Sequence, residues 1–298
     1  MNPLIPPGAR ADRLDTPTGR LRVLSAGPET RDRPPLLLVH GGGSDNAAIS
    51  WHGLMGPLAE RRTVLAPDLP GFGGSMDVPP VGGADALADV VAEVMDSLEL
   101  PRAIVGGVSM GGDVALNLAL RHPDRVAGLV LIAPGGLIPL FRNRATHFWA
   151  WAGTRVPDPL LLPLVRLSGR FTRSAVRAVV KDPGTLPGPV IDEFVRESRR
   201  PGAGLAYTRY NQASIGRHRM LNDLSERVAE ISAPTLLLHG EDDPIVDPAG
   251  SRQAAERMPD AHLVEIPDCG HWAQSERHDL VLERILDFLE RVDPSPAP

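Results

Sequence analysis

Residues 104–118, IVGGVSMGGDVALNL, run an apolar segment into a glycine-flanked serine and leave it as a helical pattern. Few folds accommodate this: a buried strand, one sharp turn, and a helix that packs back along the strand. Gly107, Ser109 and Gly111 form a G-x-S-x-G pentad. A serine at such a bend is strained, so glycines two residues to either side must let strand and helix pass close together. The same strain holds the Ser109 hydroxyl out where a substrate can reach it.

The rest of the chain repeats the alternation. Apolar runs predict strands at 21–25, 36–40, 63–68, 103–108, 128–134, 235–240 and 262–267. Helical periodicity predicts helices at 46–60, 84–98, 248–258 and 279–291. Continuous apolar strands between helices imply an α/β fold, with a mostly parallel sheet covered on both faces. Ligands of such sheets bind beyond the carboxyl ends of the strands. His40 with its glycines, Ser109, Asp243 and His271 each follow a strand, so all four point to one rim.

Composition narrows the classes. At 298 residues and 42% hydrophobic content the chain can bury a sizeable core. Its longest apolar stretches, such as PLLLPLV at 159–165, are too short to span a bilayer, and no membrane partner is expected. The N-terminus lacks a basic region followed by a long apolar run, so no secretory signal is read and a cytoplasmic location is expected. A net charge of −6 argues against nucleic-acid binding. Cys269 is the only cysteine, which excludes an internal disulfide and any CxxC site; no metal or cofactor is implied. The charge is uneven: residues 137–222 carry 13 arginines and one lysine against five acids, net +9, leaving −15 elsewhere. The tail DPSPAP reads as a frayed end.

A serine hydroxyl is a poor nucleophile until a base takes its proton, and the base needs a third group to fix its tautomer. His271, in DCGHWAQ beyond the strand at 262–267, is the candidate base; His122, His147, His218 and His278 lack a strand-end position. Asp243, in GEDDPIVD after the strand at 235–240, is the candidate acid, with Asp242 its competitor. Asp242 and Asp247 read better as turn formers. For the oxyanion, Met110 at the helix start and Gly42 in HGGG would each offer a backbone N–H. No Lys-Ser/Thr pair follows those glycines, so they are not a phosphate loop.

On these residues the chain resembles the α/β-hydrolases over nearly its full length. HGGG at 40–43, DLPGFGGS at 68–75, GGVSMGG at 106–112, GEDDPIV at 240–246 and CGHWAQ at 269–274 occur in that family's order and spacing. The resemblance implies a core of residues 1–136 and 223–298 and a helical cap, 137–222, inserted after the strand at 128–134. It also implies a cofactor-free Ser-His-Asp triad acting on a small molecule, with Asp68 in a structural turn. HGGG, SMGG and CGHWAQ together most resemble the subgroup that hydrolyses carbon–carbon bonds in aromatic ring-cleavage products. Those substrates carry a carboxylate, which a basic cap would suit, and Arg196 and Arg199 are the candidates to meet it. Trp272 matches that subgroup, but Val108 stands where it commonly carries Asn. Gly41, Gly43, Val108, Trp149 and Trp272 complete the candidate substrate-side set. The cap aromatics Phe141, Phe148, Trp149, Trp151, Phe171 and Phe194 either line an acyl pocket or pack the cap onto the core. Three readings stay open: a carboxylesterase, a carbon–carbon hydrolase of vinylogous diketo acids, and a non-hydrolytic ligand-binding or biosynthetic member of the fold. The oligomeric state is not fixed by these residues.

Overall fold

Eight strands form one sheet in the computed structural model, which describes residues 3–29 and 33–293. They are β1 (Arg10–Thr16), β2 (Gly19–Ala26), β3 (Leu36–Val39), β4 (Val64–Pro67), β5 (Ala103–Val108), β6 (Val126–Ile132), β7 (Thr235–Gly240) and β8 (Ala261–Ile266). Their order is β1-β2-β4-β3-β5-β6-β7-β8. The β1–β2 and β2–β4 pairs are antiparallel and all the others parallel. The expectation for the C-terminal tail falls, beyond Asp293, outside the described residues.

Strand periodicity explains why both faces are apolar. Leu37, Val39, Val105, Leu129, Leu131 and Leu237 enter one core; their neighbours Leu36, Leu38, Ile104, Val130, Ile132 and Leu238 enter a second on the opposite face. Helices cover each. They are α1 (Ala47–Ser50), α2 (Met55–Leu58), α3 (Ala84–Ser97), α4 (Met110–Arg121), α5 (Arg144–Thr154), α6 (Asp158–Ser168), α7 (Thr172–Ala178), α8 (Gly188–Ser198), α9 (Leu205–Ser214), α10 (Pro248–Arg257), α11 (Ala273–Glu276) and α12 (His278–Val292). Residues of α3 and α4 fill the first core; Trp51 and residues of α12 fill the second.

Two elements differ from the sequence reading. Strand β1 was not expected, because RADRLDT is a polar, largely exposed edge; it is held by a seven-residue ladder running from Arg10↔Ser25 to Thr16↔Gly19. The expected helix at 46–60 is instead α1 and α2 with a turn between them, where Gly53, Gly56 and Pro57 weaken the helix and the buried Trp51 anchors the turn.

Helices α5–α9 lie between β6 and β7, in the 137–222 segment. Among the joints that fasten this insert to the sheet domain are an apolar one and a polar one. In the apolar joint, Trp272 and Ile49 pack with Val176, Val180, Leu186, Val190, Ile191 and Phe194. In the polar joint, the Asp113 carboxylate on α4 accepts from Tyr210 Oη (2.7 Å) on α9 and from Asn222 Nδ2 (2.5 Å). Burial pushes the Asp113 carboxyl up to about 6 against those two bonds and one from Asn117. Among the described residues no helix is long and apolar enough to cross a membrane.

Candidate active site

Ser109 joins β5 to α4 with φ +52° and ψ −115°, outside the regions that L-residues favour. Its surroundings hold it there. The Ser109 N–H donates to the Ile132 carbonyl (3.0 Å), and its own carbonyl accepts from Gly112, Asp113 and Gly135. A Cβ on Gly107 would run into the Gly111 backbone, and one on Gly111 into the Val39 and His40 carbonyls. Both flanks must therefore be glycine, as the pentad spacing predicts.

Asp243 sits in the turn after β7 and uses its two oxygens differently. Oδ1 accepts from the Ile245 (2.7 Å) and Val246 (3.0 Å) N–H groups, which shapes the turn. Oδ2 is left to face His271 Nδ1 at 2.7 Å, with the Asp243 side chain wholly buried. Asp242 turns outward instead, paired with Lys181 Nζ at 2.9 Å on the surface, and Asp247 caps α10 through Ala249 N–H. The structure thus separates the two competing carboxylates.

His271 lies between β8 and α11 and is fixed from both sides. Its N–H donates to the Val179 carbonyl of the insert (2.9 Å), and Asp242 N–H crosses to the Cys269 carbonyl (3.0 Å). Gly270 is in such close contact with Val179, Val180 and Lys181 that a Cβ there would meet their backbone atoms at 2.8–2.9 Å. The buried Glu276 gathers this corner: Oε1 accepts from Gly270 N–H (2.9 Å), and Oε2 from the Lys181 (2.6 Å) and Asp182 (3.2 Å) N–H groups. Cys269 beside it is buried, and burial pushes its thiol up to about 12, so it is a packed residue rather than a nucleophile.

A second histidine completes the acid's environment. His239, inside β7, places Nε2 3.2 Å from Asp243 Oδ2 and 3.1 Å from the Val246 carbonyl, while its Nδ1 meets Ser251 Oγ at 2.8 Å. That pattern assigns the proton to Nε2, with Ser251 donating to Nδ1. Burial alone would raise the Asp243 carboxyl, but bonds from His239, His271 and Val246 hold it well below the usual carboxylate range. Asp243 is therefore an anion held between two imidazoles.

The HGGG segment follows β3. His40 Nδ1 meets the Gly41 carbonyl at 2.7 Å and its Nε2 accepts from Leu69 N–H at 3.1 Å, so His40 pins this loop to the DLPGFGG turn. Burial pushes its pKa below the ordinary imidazole value, which favours the neutral ring. Asp68 is structural, as expected: it pairs with the buried Arg22 at 2.6 Å and accepts from Ala47 N–H at 2.9 Å. Gly41 N–H is taken by Asp45 Oδ2 (3.0 Å) and Ser50 Oγ (3.1 Å). Gly42 lies under the Tyr207 ring of α9 so closely that any Cβ would collide with it. Gly112 and Asp113 spend their N–H groups on the Ser109 carbonyl, which leaves the Met110 and Gly111 N–H groups at the positive start of α4.

The substrate-side expectations fare less well. Gly43, at φ +78°, lines a small cleft with Phe72, Glu197 and Ala206. Val108 does not line a site: it is wholly buried in the core that holds Trp51 and Cys269. Trp149 is strongly exposed and packs edge-on against Phe148. Arg196 is engaged by the two buried carboxylates Glu193 and Glu197, both at 2.5 Å, and Glu193 in turn accepts from Asn46 beside the HGGG loop (3.2 Å). Arg199 lines an outer cavity that contains none of the candidate catalytic residues. Trp272 packs on Phe194 with ring centroids 4.8 Å apart, in the joint between insert and core. His239, Glu276 and Tyr207 were not singled out from sequence. Only His239 left a readable signal, a polar residue within a buried strand four positions before the acid.

A family model described as the alpha/beta hydrolase fold matches residues 34–278. The chain is 31% identical to the 2-hydroxymuconate semialdehyde hydrolase of Pseudomonas sp. (strain CF600), over 87% of this chain and 88% of that one. It is 29% identical to the 2-hydroxy-6-oxo-2,4-heptadienoate hydrolase of Pseudomonas putida (strain F1), over 92% and 97% of the two chains. Among solved structures, a thermophilic esterase from Thermogutta terrifontis superposes with a TM-score of 0.73 at 26% identity, over 96% of this chain and all of that one.

Proposed function

The chain belongs to the alpha/beta hydrolase family, and we propose that it is a cofactor-free serine hydrolase of a small to medium carboxylic ester. The observation that carries this reading is the buried 2.7 Å contact of His271 Nδ1 with Asp243 Oδ2, on the rim where β5 delivers Ser109. With Nδ1–H committed to the carboxylate, His271 Nε2 is the basic nitrogen. It takes the Ser109 proton as Oγ attacks the acyl carbon, and the Met110 and Gly42 N–H groups receive the oxyanion. His271 then hands the proton to the leaving alcohol. Water, activated by the same nitrogen, releases the acid and restores Ser109.

The charge around the loop favours a neutral acyl group. Glu193 and Glu197 already occupy Arg196, one of the two cap arginines that the sequence offers to a substrate carboxylate, and Arg199, the other, lines an outer cavity.

Carbon–carbon hydrolysis of a vinylogous diketo acid by the same residues is the second reading. Its support is the similarity to the 2-hydroxymuconate semialdehyde hydrolase. Comparing kcat/KM for a panel of p-nitrophenyl esters and for a ring-cleavage dienoate, on the same preparation, chooses between them. A preference for the dienoate would replace the ester assignment. Loss of both activities in Ser109→Ala would support the shared mechanism, and retention of either would refute it for that substrate.

A further inference from the structure

Helix α6, DPLLLPLVRLS, is apolar almost all round, yet none of its residues is buried. Leu160, Leu164 and Leu167 fall on one face at i, i+4 and i+7 and are 65%, 59% and 49% exposed. Leu161, Leu162 and Val165, on the other side, are only half-buried. Phe171, in the turn that follows, is 66% exposed. A helix apolar on every side belongs in a protein core or in lipid, and a cluster of exposed large side chains marks an interaction surface.

The end of the same helix opens into a cavity of about 530 Å³ lined by Arg166, Arg170, Ser198, Arg199 and Arg200. Arg200 is paired with Glu197 at 2.8 Å. Arg166, Arg170 and Arg199 have no acidic partner among the described residues. Arginines near helix C-termini are favourable in themselves, because they meet the negative end of the dipole. That accounts for each one singly. It does not account for three unneutralised guanidiniums around one cavity beside a row of exposed leucines.

We propose that α6 and its arginine cavity dock on an anionic phospholipid surface. Leu160, Leu164, Leu167 and Phe171 enter the boundary between headgroups and acyl chains, and the cavity receives a lipid phosphate. Charge selects this occupant over a second copy of the chain. A two-fold pairing of this face would bring two sets of free arginines together, whereas an anionic bilayer neutralises them. Docking in the interface needs no spanning helix, so the short apolar stretches that exclude a membrane span do not bear on it. The proposal departs from the expectation of no membrane partner. The surface is independent of the Ser109 reading.

Co-sedimentation of the whole chain with vesicles of phosphatidylcholine alone, and of phosphatidylcholine mixed with phosphatidylglycerol, tests this. Binding is expected to the mixed vesicles, to weaken with salt, and to fall roughly tenfold or more in Arg166→Glu/Arg170→Glu and in Leu164→Asp/Leu167→Asp. Thermal melts and circular dichroism spectra of both variants verify that they fold. Absence of sedimentation, equal binding to both vesicles, or indifference to either variant overturns the proposal. So does a concentration-dependent dimer that Leu164→Asp/Leu167→Asp abolishes, or binding of glycerol phosphate at the cavity without vesicle binding.

Discussion

His239 Nε2 lies 3.2 Å from Asp243 Oδ2, the oxygen that also meets His271 Nδ1 at 2.7 Å. The acid of the candidate triad is thus positioned from behind by a second imidazole, itself set by Ser251. Removing that donor in His239→Phe should lower kcat roughly 10- to 100-fold with little change in KM, the range for losing a hydrogen bond to a charged group. His239→Gln, which keeps an N–H donor, should recover part of the loss. Steady-state kinetics of both variants measure this; equal losses in the two would mean that packing alone is at stake.

The two neighbouring carboxylates should separate cleanly. Asp243→Asn leaves the turn's shape but presents the wrong partner to His271, and kcat should drop by about 10⁴. Asp242→Asn breaks only an exposed pair with Lys181 and should change kcat less than about twofold. Kinetics on one ester substrate distinguish the two, and a reversed order would move the acid's role to Asp242.

Glu276 should matter to stability and activity together. Glu276→Ala leaves the N–H groups of Gly270, Lys181 and Asp182 without their acceptor, at a cost of about 1–3 kcal/mol for each that water does not reach. A Tm lower by several degrees and a reduced kcat are expected, because this corner also holds the His271 loop. An unchanged Tm would show that water replaces the carboxylate.

Asp45 gives a pH dependence with a definite sign. Burial pushes its carboxyl up to about 7, from an ordinary value of 3.8. Between these values the folded chain keeps a proton that the unfolded chain has released, so stability falls as pH rises from about 4 to about 7. Asp113, raised to about 6, contributes with the same sign. Asp243, lowered, contributes the opposite: its stabilisation is present above the ordinary carboxylate value and lost only in acid. Melts of wild type and Asp45→Asn at about pH 5 and pH 8 isolate the Asp45 term. The wild type should lose more Tm toward high pH than the variant; an equal loss would mean that Asp45 is ionised throughout.

The strands and the triad candidates were legible because each sits where an apolar run stops, and a parallel sheet brings such endings to one rim. Val108 was misplaced although the signal was present. Strand parity puts it on the same face as Ile104, which points into the core and away from any substrate. Arg196 illustrates a different limit: the sequence offers it to a substrate carboxylate, while Glu193 and Glu197 on the same helix bind it. His239 escaped notice inside a strand, where a ladder position hides what the side chain meets. Strand β1 had no apolar pattern at all and exists because β2 offers it an unpaired edge. The tilt of the insert, which sets Tyr207 over Gly42, follows from packing that no periodicity encodes.

The most direct measurement of the central claim is covalent labelling with a fluorophosphonate, read by peptide mass spectrometry. A single adduct on Ser109 is predicted, slowed by orders of magnitude in His271→Ala and absent in Ser109→Ala, with esterase activity lost in step. An adduct elsewhere, or turnover that persists in Ser109→Ala, would contradict the assignment of Ser109 as the nucleophile.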